Sequence, residues 1–446
     1  MSEQKLHLKK ILKKVLTKVK YGGIIIYVVE KQVGVNDAEG PPVPIPNTEV
    51  KLSGAENTWL ATARENREMP THKSVHPVGW AFFILRSHSR GVNNLHNIFE
   101  NTKSVWNILK DCGKPVVLYG MGDGADKVLK AFEHYGISAS AVIASDEFVR
   151  GQSFHGFKVK KLSEAEQEFG EFVIALCFAS QLPEVINTIK SVAKKHMLLV
   201  PSVPVFGNVM FDDDFIGKNS ENMKRAYSLL ADDLSKKVFE NVLEFYYTGD
   251  ICLLEDITTD KSEAFNNILR LSQNEVYVDL GAYNGDTVDE FLQYSGGKYR
   301  KIVALEPNVK NFEKLKAHCA DMPNVELWRL GSYSHSTVLT FNNKAGRNSA
   351  ISETGVETRV APVDTVLCGT AAGYIKADVE GADFETLCGM KNTLKSFKPK
   401  LNFSAYHRFE DIFRLPILIN KINPEYRIYL RHHPYIPAWD TNLYCV

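Results

Sequence analysis

The stretch that decides the fold is Glu275–Phe291, EVYVDLGAYNGDTVDEF. Apolar Val276 and Val278 alternate into Asp279, the pattern of a strand that ends on an acid. Two glycines follow, Gly281 and Gly285, and then Asp286 opens a helix-like run through Val288 and Phe291. A strand that leaves through a glycine loop into a helix is the start of an α/β unit. Ligands of open α/β sheets sit beyond the carboxyl ends of the strands, where the strand order switches. Asp279 stands at such an end, and glycine lets backbone approach where a Cβ would obstruct it.

The spacing narrows the ligand. Gly281 and Gly285 give G-x-x-x-G, whereas a dinucleotide turn needs G-x-G-x-x-G with pyrophosphate on a helix N-terminus. The next strand, KIVALEP (301–307), brings Glu306, 25 residues after Gly281. An acid there is placed to accept hydrogen bonds from ribose hydroxyls. A ribose without phosphates, beside carboxylates that suit a cationic end, describes S-adenosylmethionine, with its ammonium and sulfonium. The bland alternative makes Asp279 a turn former and Glu306 a surface acid. The two together, on these strands, favour the S-adenosylmethionine site.

Further strands follow: VELWRLG (325–331), TVLTF (337–341), YIKADVEG (374–381), KLNFSAYH (400–407), YRIYLRHH (426–433) and NLYCV (442–446). Helical stretches separate several of them, which implies a mostly parallel sheet. The last two strands are close together, and predict an antiparallel end. The pieces VYVDLGAYNGDTVDEF, IVALEPN, IKADVEGAD, SAYHRFEDIFRLPILI, YLRHH and NLYCV occur in this order over residues 275–446. Together they resemble the FkbM family of S-adenosylmethionine-dependent methyltransferases.

That resemblance implies a Rossmann-like methyltransferase fold and methylation of a hydroxyl on a sugar, glycan precursor or natural product. It places Asp279, Gly281, Asn284, Gly285 and Asp286 along the methionine end of the cofactor, and Glu306 on its ribose. Pro307, Asn308, Gly331 and Ser332 fall beside the adenine. Asp378 and Glu380 face the reacting methyl group. Methyl transfer to a hydroxyl needs the acceptor oxygen aligned with the methyl, and a base for the hydroxyl proton. His407 is the first candidate base, because an imidazole titrates near neutrality; Asp378 is the second. Asp378, Glu380 and His407 could instead hold a divalent cation, and His407 could be a core histidine. His432 and His433 could contribute to the acceptor pocket, but paired histidines at a strand end are more often solvated.

Upstream, PVVLYGMGDGADKVLKAF (115–132) is a strand, a glycine turn and a helix, and GMGDGA fits G-x-G-x-x-G/A. Asp146 lies 24 residues after Gly122. With strands at 138–145, 172–178 and 197–203 and helices near 162–169 and 182–195, residues 110–208 read as a small Rossmann-like α/β domain. A nucleotide or nucleotide sugar is the candidate ligand at Gly120, Gly122 and Gly124; the alternative is a scaffold that kept the turn alone. An NAD-linked oxidoreductase built on this turn is a competing reading of the whole chain. A non-catalytic module that binds S-adenosylmethionine or glycan is another. Residues 209–270 read as a helical bridge between this domain and the methyltransferase domain at 271–446.

The remaining features bound the answer. A chain of 446 residues exceeds one ordinary core. Lys plus Arg and Asp plus Glu are 53 each, which argues against a dedicated nucleic-acid binder. Seven cysteines without paired spacing suggest reduced thiols and a cytoplasmic home. Residues 5–20, KLHLKKILKKVLTKVK, carry seven lysines and predict an amphipathic helix. Such a helix either touches an anionic membrane surface peripherally or packs with a wet lysine face. Residues 34–78 read as a linker or a long excursion. No run approaches the roughly 20 apolar residues of a membrane span. Acceptor identity and oligomeric state do not follow from these features.

Overall fold

The computed structural model describes residues 98–99, 102–341 and 356–446, together with two strands at 16–21 and 24–29. Strands β1 (Leu16–Tyr21) and β2 (Ile24–Val29) pair antiparallel, Tyr21 opposite Ile24, with Gly22 and Gly23 between them in sequence. The helix expected over residues 5–20 is therefore wrong for its last five residues. β-branched residues fill IIIYVV, and a two-glycine separation is a strong hairpin signal that outweighs a helical spacing of leucines. Residues 5–15 and the linker at 34–78 lie outside the described residues.

The middle of the chain forms a six-stranded sheet. Its strands are β3 (Val116–Tyr119), β4 (Ala141–Ile143), β5 (Ser153–Phe154), β6 (Phe157–Lys160), β7 (Val173–Leu176) and β8 (Met197–Leu199), in the order β5-β6-β4-β3-β7-β8. All pairings are parallel except β5–β6. Strands β3, β4 and β7 are buried throughout, as a sheet covered on both faces requires.

Helices Asp213–Leu229 and Asp233–Thr248 follow. Asp212 and Asp232 cap them by accepting from the N–H groups of Phe215 and Ser235. Val238, Val242 and Phe245 of the second helix belong to one apolar cluster with Val117 and Leu176 of the middle sheet and with Val278 and Leu430 of the next sheet. The segment expected as a bridge is thus core, shared by both sheets.

The C-terminal sheet holds β9 (Val276–Leu280), β10 (Lys301–Leu305), β11 (Val325–Trp328), β15 (Tyr374–Ala377), β16 (Lys400–Ser404), β17 (Ile428–His432) and β18 (Thr441–Cys445). Their order is β11-β10-β9-β15-β16-β18-β17, with β2 added parallel to β11 and β1 beyond it. Only β18 runs against its neighbours in this seven-strand set. Alternate residues face opposite layers. Val278, Leu280, Val303 and Leu305 pack with Ile412, Phe413 and Ile419 of the helix Asp411–Ile422. Tyr277, Ile302 and Ala304 pack with Val288 and Phe291 of the helix Asp286–Ser295 and Phe312 of the helix Val309–His318. A small sheet of β12 (Gly331–Ser332), β13 (Thr337–Phe341) and β14 (Val356–Ala361) lies apart from it. Strand order reverses between β10-β9 and β9-β15, so the switch point lies at the carboxyl end of β9.

Candidate active site

Asp279 is fully buried at that switch point. Its Oδ2 accepts from Thr287 Oγ1 at 2.5 Å, while Oδ1 has no hydrogen-bond partner among the described residues. Burial raises its pKa, against the pull of Lys376. The loop after it is held by the protein itself as much as it is open to a ligand. Gly281 has φ +85°, and a Cβ there would lie 2.0 Å from the carbonyl oxygen of Asp378. Gly285 has φ +101° and lies against the ring of His318. The loops after β9 and β15 therefore interlock, which glycine alone permits. Asn284 Oδ1 accepts from the N–H of Asp286, and Asp286 is the exposed first residue of the following helix.

Glu306 stands one strand over, at the end of β10. Tyr283 N–H donates to its Oε2 at 3.0 Å and Asn308 N–H to its Oε1 at 2.7 Å. Burial pushes its pKa up to about 7, against these two hydrogen bonds. The carboxyl is fixed with lone pairs to spare for two hydroxyls. Asn308 caps the helix Val309–His318 through Lys310 and Asn311, so its side chain serves the helix. Gly331 lies near Pro307: a Cβ there would stand 3.8 Å from Pro307 Cβ. Ser332 is buried with its hydroxyl on Thr386 Oγ1, where it serves packing.

Beyond β15 lies a chain of charges. His407 is 1% exposed, with Nδ1 2.7 Å from Asp383 Oδ2 and Nε2 3.1 Å from Asp378 Oδ1. Burial opposes its charge, but the Asp383 and Asp378 carboxylates overcome this and hold its pKa well above 6.5. Both ring nitrogens therefore donate. As found, both nitrogens are engaged by carboxylates, so a His407 acting as the base would first have to release one of these contacts. Asp378 is itself drawn below the usual carboxylate range by His407 and Lys376, despite burial. The side chains of Asp378 and Glu380 are 34% and 37% exposed. Glu380 adopts φ +51°, a left-handed conformation that non-glycine residues favour little. Among the described residues no group of His, Cys, Asp and Glu side chains is disposed to hold a metal ion.

Three participants escaped the motif reading. Lys376 is buried on β15, with Nζ 4.0 Å from Asp378 Oδ2. A cation inside the otherwise apolar YIKA was its only signal. Asp383 lies within the quoted IKADVEGAD but carried no assigned role. Tyr406 donates its hydroxyl toward Asp378 Oδ1 at 3.5 Å. His432 and His433 are both fully buried rather than solvated. Their Nδ1 atoms meet Thr441 Oγ1 and the Thr259 carbonyl, and burial lowers both pKa values, that of His432 to about 4. A cavity of about 640 Å³ opens beside Asp286, lined also by Lys261, Asp289, Glu290, His433 and Asp440.

In the middle sheet, Gly122 caps the helix Asp123–Tyr135, and a Cβ at Gly124 would lie 2.2 Å from the Cys177 carbonyl oxygen. The glycine turn is thus required by packing against β7. Asp123 and Asp126 occupy the first helical turn, where their charge opposes that of a phosphate. Asp146 starts a short 3-10 turn and lies 3.7 Å from Lys161. No helix among the described residues is long and apolar enough to cross a membrane.

Residues 279–437 match the family model of the methyltransferase FkbM domain. No curated protein matches the chain. The crystal structure of methyltransferase FkbM from Methylobacillus flagellatus KT superposes with a TM-score of 0.59 at 21% identity, covering 79% of this chain and 93% of that one. At that identity the likeness is one of fold, and its coverage extends well beyond the matched domain. A putative methyltransferase from Streptococcus mutans in complex with SAH covers 42% of this chain and 98% of its own, with 12% identity and a TM-score of 0.28. Fibrillarin from Aeropyrum pernix with bound S-adenosyl-L-methionine covers 42% and 73%, with 12% identity and a TM-score of 0.27. The buried acid of β9, the fixed carboxyl of β10 and the matched family agree: this chain carries, over residues 279–437, an FkbM methyltransferase domain, and is an S-adenosylmethionine-dependent methyltransferase.

Proposed function

We propose that the enzyme methylates a hydroxyl on a sugar, a glycan precursor or a related natural product. The observation that carries this reading is the array Asp378–His407–Asp383 at the end of β15. S-adenosylmethionine supplies a methyl group already activated by its sulfonium. Glu306 would hold the ribose and the Asp279–Asp286 loop the methionine end; the partnerless Asp279 Oδ1 fits a ligand donor there.

The chain's own contribution is alignment and proton handling. Asp378 presents a carboxylate oxygen toward the acceptor, and the doubly bonded His407 keeps it from turning away. An acceptor hydroxyl donates to that carboxylate, which orients a lone pair on the oxygen toward the methyl. The proton is lost as the carbon–oxygen bond forms, when the hydroxyl becomes far more acidic, so a weakly basic carboxylate suffices. An amine acceptor has less need of this arrangement, since it arrives with a free lone pair when neutral.

The test is incubation with methyl-labelled S-adenosylmethionine and a panel of sugars, nucleotide sugars and amino sugars. Methyl ethers identified by mass spectrometry and NMR support the proposal. Label found only on nitrogen or carbon contradicts it.

A further inference from the structure

The array around His407 is not closed by its own domain. Phe206 comes from the segment that follows β8 of the middle sheet, and it is 5% exposed. Its ring meets the His407 ring edge-on, with centroids 5.6 Å apart at 71°. Its N–H donates to the His407 carbonyl at 3.3 Å. A Cβ on Gly381 would lie 2.9 Å from the Phe206 ring, so the DVEG turn is pressed against the same side chain. Arg408 clasps both partners: its Nε donates to the Gly381 carbonyl, and its Nη1 stands 3.1 Å from where a Cβ on Gly207 would be.

The segment is anchored from behind. Lys127, on the helix that follows the glycine turn, donates from Nζ to the carbonyls of Pro204 and Val205 at 3.3 and 3.1 Å. Asp123, one turn earlier on that helix, pairs with Lys127 at 3.3 Å. The middle sheet thus reaches the carboxylate–imidazole array through one lysine and one phenylalanine.

We propose that Phe206 is a positioning residue for methyl transfer, held by Lys127, and that it forms the wall that keeps His407 and Asp383 dry and in register with Asp378. The proposal rests on the reading that this array serves the reaction. Its physical basis is dielectric: charge–charge attraction grows as water is excluded, and a wall that admits water weakens every hydrogen bond behind it. It assigns the middle domain a part in the methyl-transfer site that needs no ligand at the glycine turn.

The groups that bear on His407 are Asp378 and Glu380 after β15, Asp383 on the helix Asp383–Cys388, Tyr406 and Arg408 beside it, and Asp411 on the helix Asp411–Ile422. Phe206 adds no charge to this set. Removing the ring therefore acts through water, which screens Asp378 and Asp383. The imidazole should then fall back toward its ordinary value of 6.5.

The experiment is nitrogen-15 NMR of the histidine rings in the full chain, titrated with pH, with His407→Gln to assign the signal. In the wild type, the His407 ring should stay doubly protonated and slow to exchange at pH values where an ordinary imidazole has lost its proton. Phe206→Ala should make it titrate nearer 6.5 and lose its slow exchange. Lys127→Met should move it the same way by less, and Phe206→Leu, which keeps an apolar wall, should restore most of the wild-type behaviour. A His407 signal unchanged in both Phe206→Ala and Lys127→Met would overturn the proposal. Should Phe206→Ala fail to fold, the Lys127→Met and Phe206→Leu titrations decide alone. The underlying reading fails separately: unaltered methyl transfer in Asp378→Asn, with His407 moved in Phe206→Ala, removes the array from the chemistry and leaves the wall in place.

Discussion

Lys376 of β15 stands directly opposite Asp279 of β9 in the parallel pairing of the two strands. The buried ammonium is thereby set between Asp279 and Asp378, and these two acids keep its pKa raised despite burial. It is the local counter-charge for two carboxylates on either side of the switch point. Removing one member of a buried ionic set costs about 3–5 kcal/mol, because the remaining charges lose their compensation. Lys376→Met should destabilise the protein by about that amount in denaturant unfolding. Adding Asp279→Asn should recover part of the loss, since the unpaired charge goes with it. A double variant no more stable than Lys376→Met would show that the two residues do not interact.

Glu306 gives the cofactor affinity a pH dependence. Its raised pKa, about 7 in the free protein, means that near-neutral solutions contain both forms. Ribose hydroxyls donate best to the carboxylate, so the protonated fraction weakens binding. Affinity for S-adenosylhomocysteine should rise with pH through about 7 and level off above it, with up to about tenfold change per pH unit on the acid side. The stability effect has the opposite sign. A carboxyl whose folded pKa is raised holds its proton between about 4.5 and 7 while the unfolded chain does not, so its contribution to stability falls as pH rises across that window. Glu306→Gln should flatten both dependences, as calorimetry from about pH 6 to 8.5 and melts from about pH 4.5 to 8 would record.

The carboxylate–imidazole array separates chemistry from binding. Asp378→Asn keeps the shape and a hydrogen-bond acceptor but removes the charge that draws the acceptor proton. Single-turnover methyl transfer should slow by about 100-fold or more, with S-adenosylhomocysteine affinity changed by less than about threefold. His407→Gln should slow the reaction similarly and also lower stability, because Asp383 is fully buried and loses its cationic partner. A slow step in His407→Gln with unchanged stability would contradict the charged state assigned to this ring.

Arg431 ties the helical layer to β17. It is 2% exposed, and meets Asp232 and Glu263 at 2.7 Å each as well as Ser235 Oγ at 2.9 Å. Arg431→Met should cost about 3 kcal/mol by leaving two acids unpaired. Replacing Asp232 and Glu263 by their amides as well should return part of it. Because Arg431 lies away from Asp279 and Glu306, S-adenosylhomocysteine binding to the folded protein should be unchanged.

Much of this was written in the chain. Strand β9 and its loop were legible because apolar residues alternate into Asp279 and glycines follow at once; that Gly281 is required by the Asp378 carbonyl was not, since that contact exists only in the fold. Glu306 was legible from its place at the end of the following strand. The hairpin of β5 and β6 was not, since SFHGFKVK is short and carries little alternation. The β1–β2 hairpin was hidden by lysines that mimic a helical face. His407 was found, but its protonation was not, because that state depends on Asp378 and Asp383, whose shared segment only the fold brings against the ring. Phe206 was unreadable: its value lies in contact with Gly381 and His407, at positions about 175 and 200 residues later.

The measurement that bears most directly on the central claim is calorimetric titration of the protein with S-adenosylmethionine and S-adenosylhomocysteine, alongside Asp279→Ala and Glu306→Ala. The account predicts binding of both ligands by the wild type, and a loss of about tenfold or more in each variant while the fold is retained. Binding that survives intact in both folded variants would contradict a cofactor site built on the ends of β9 and β10.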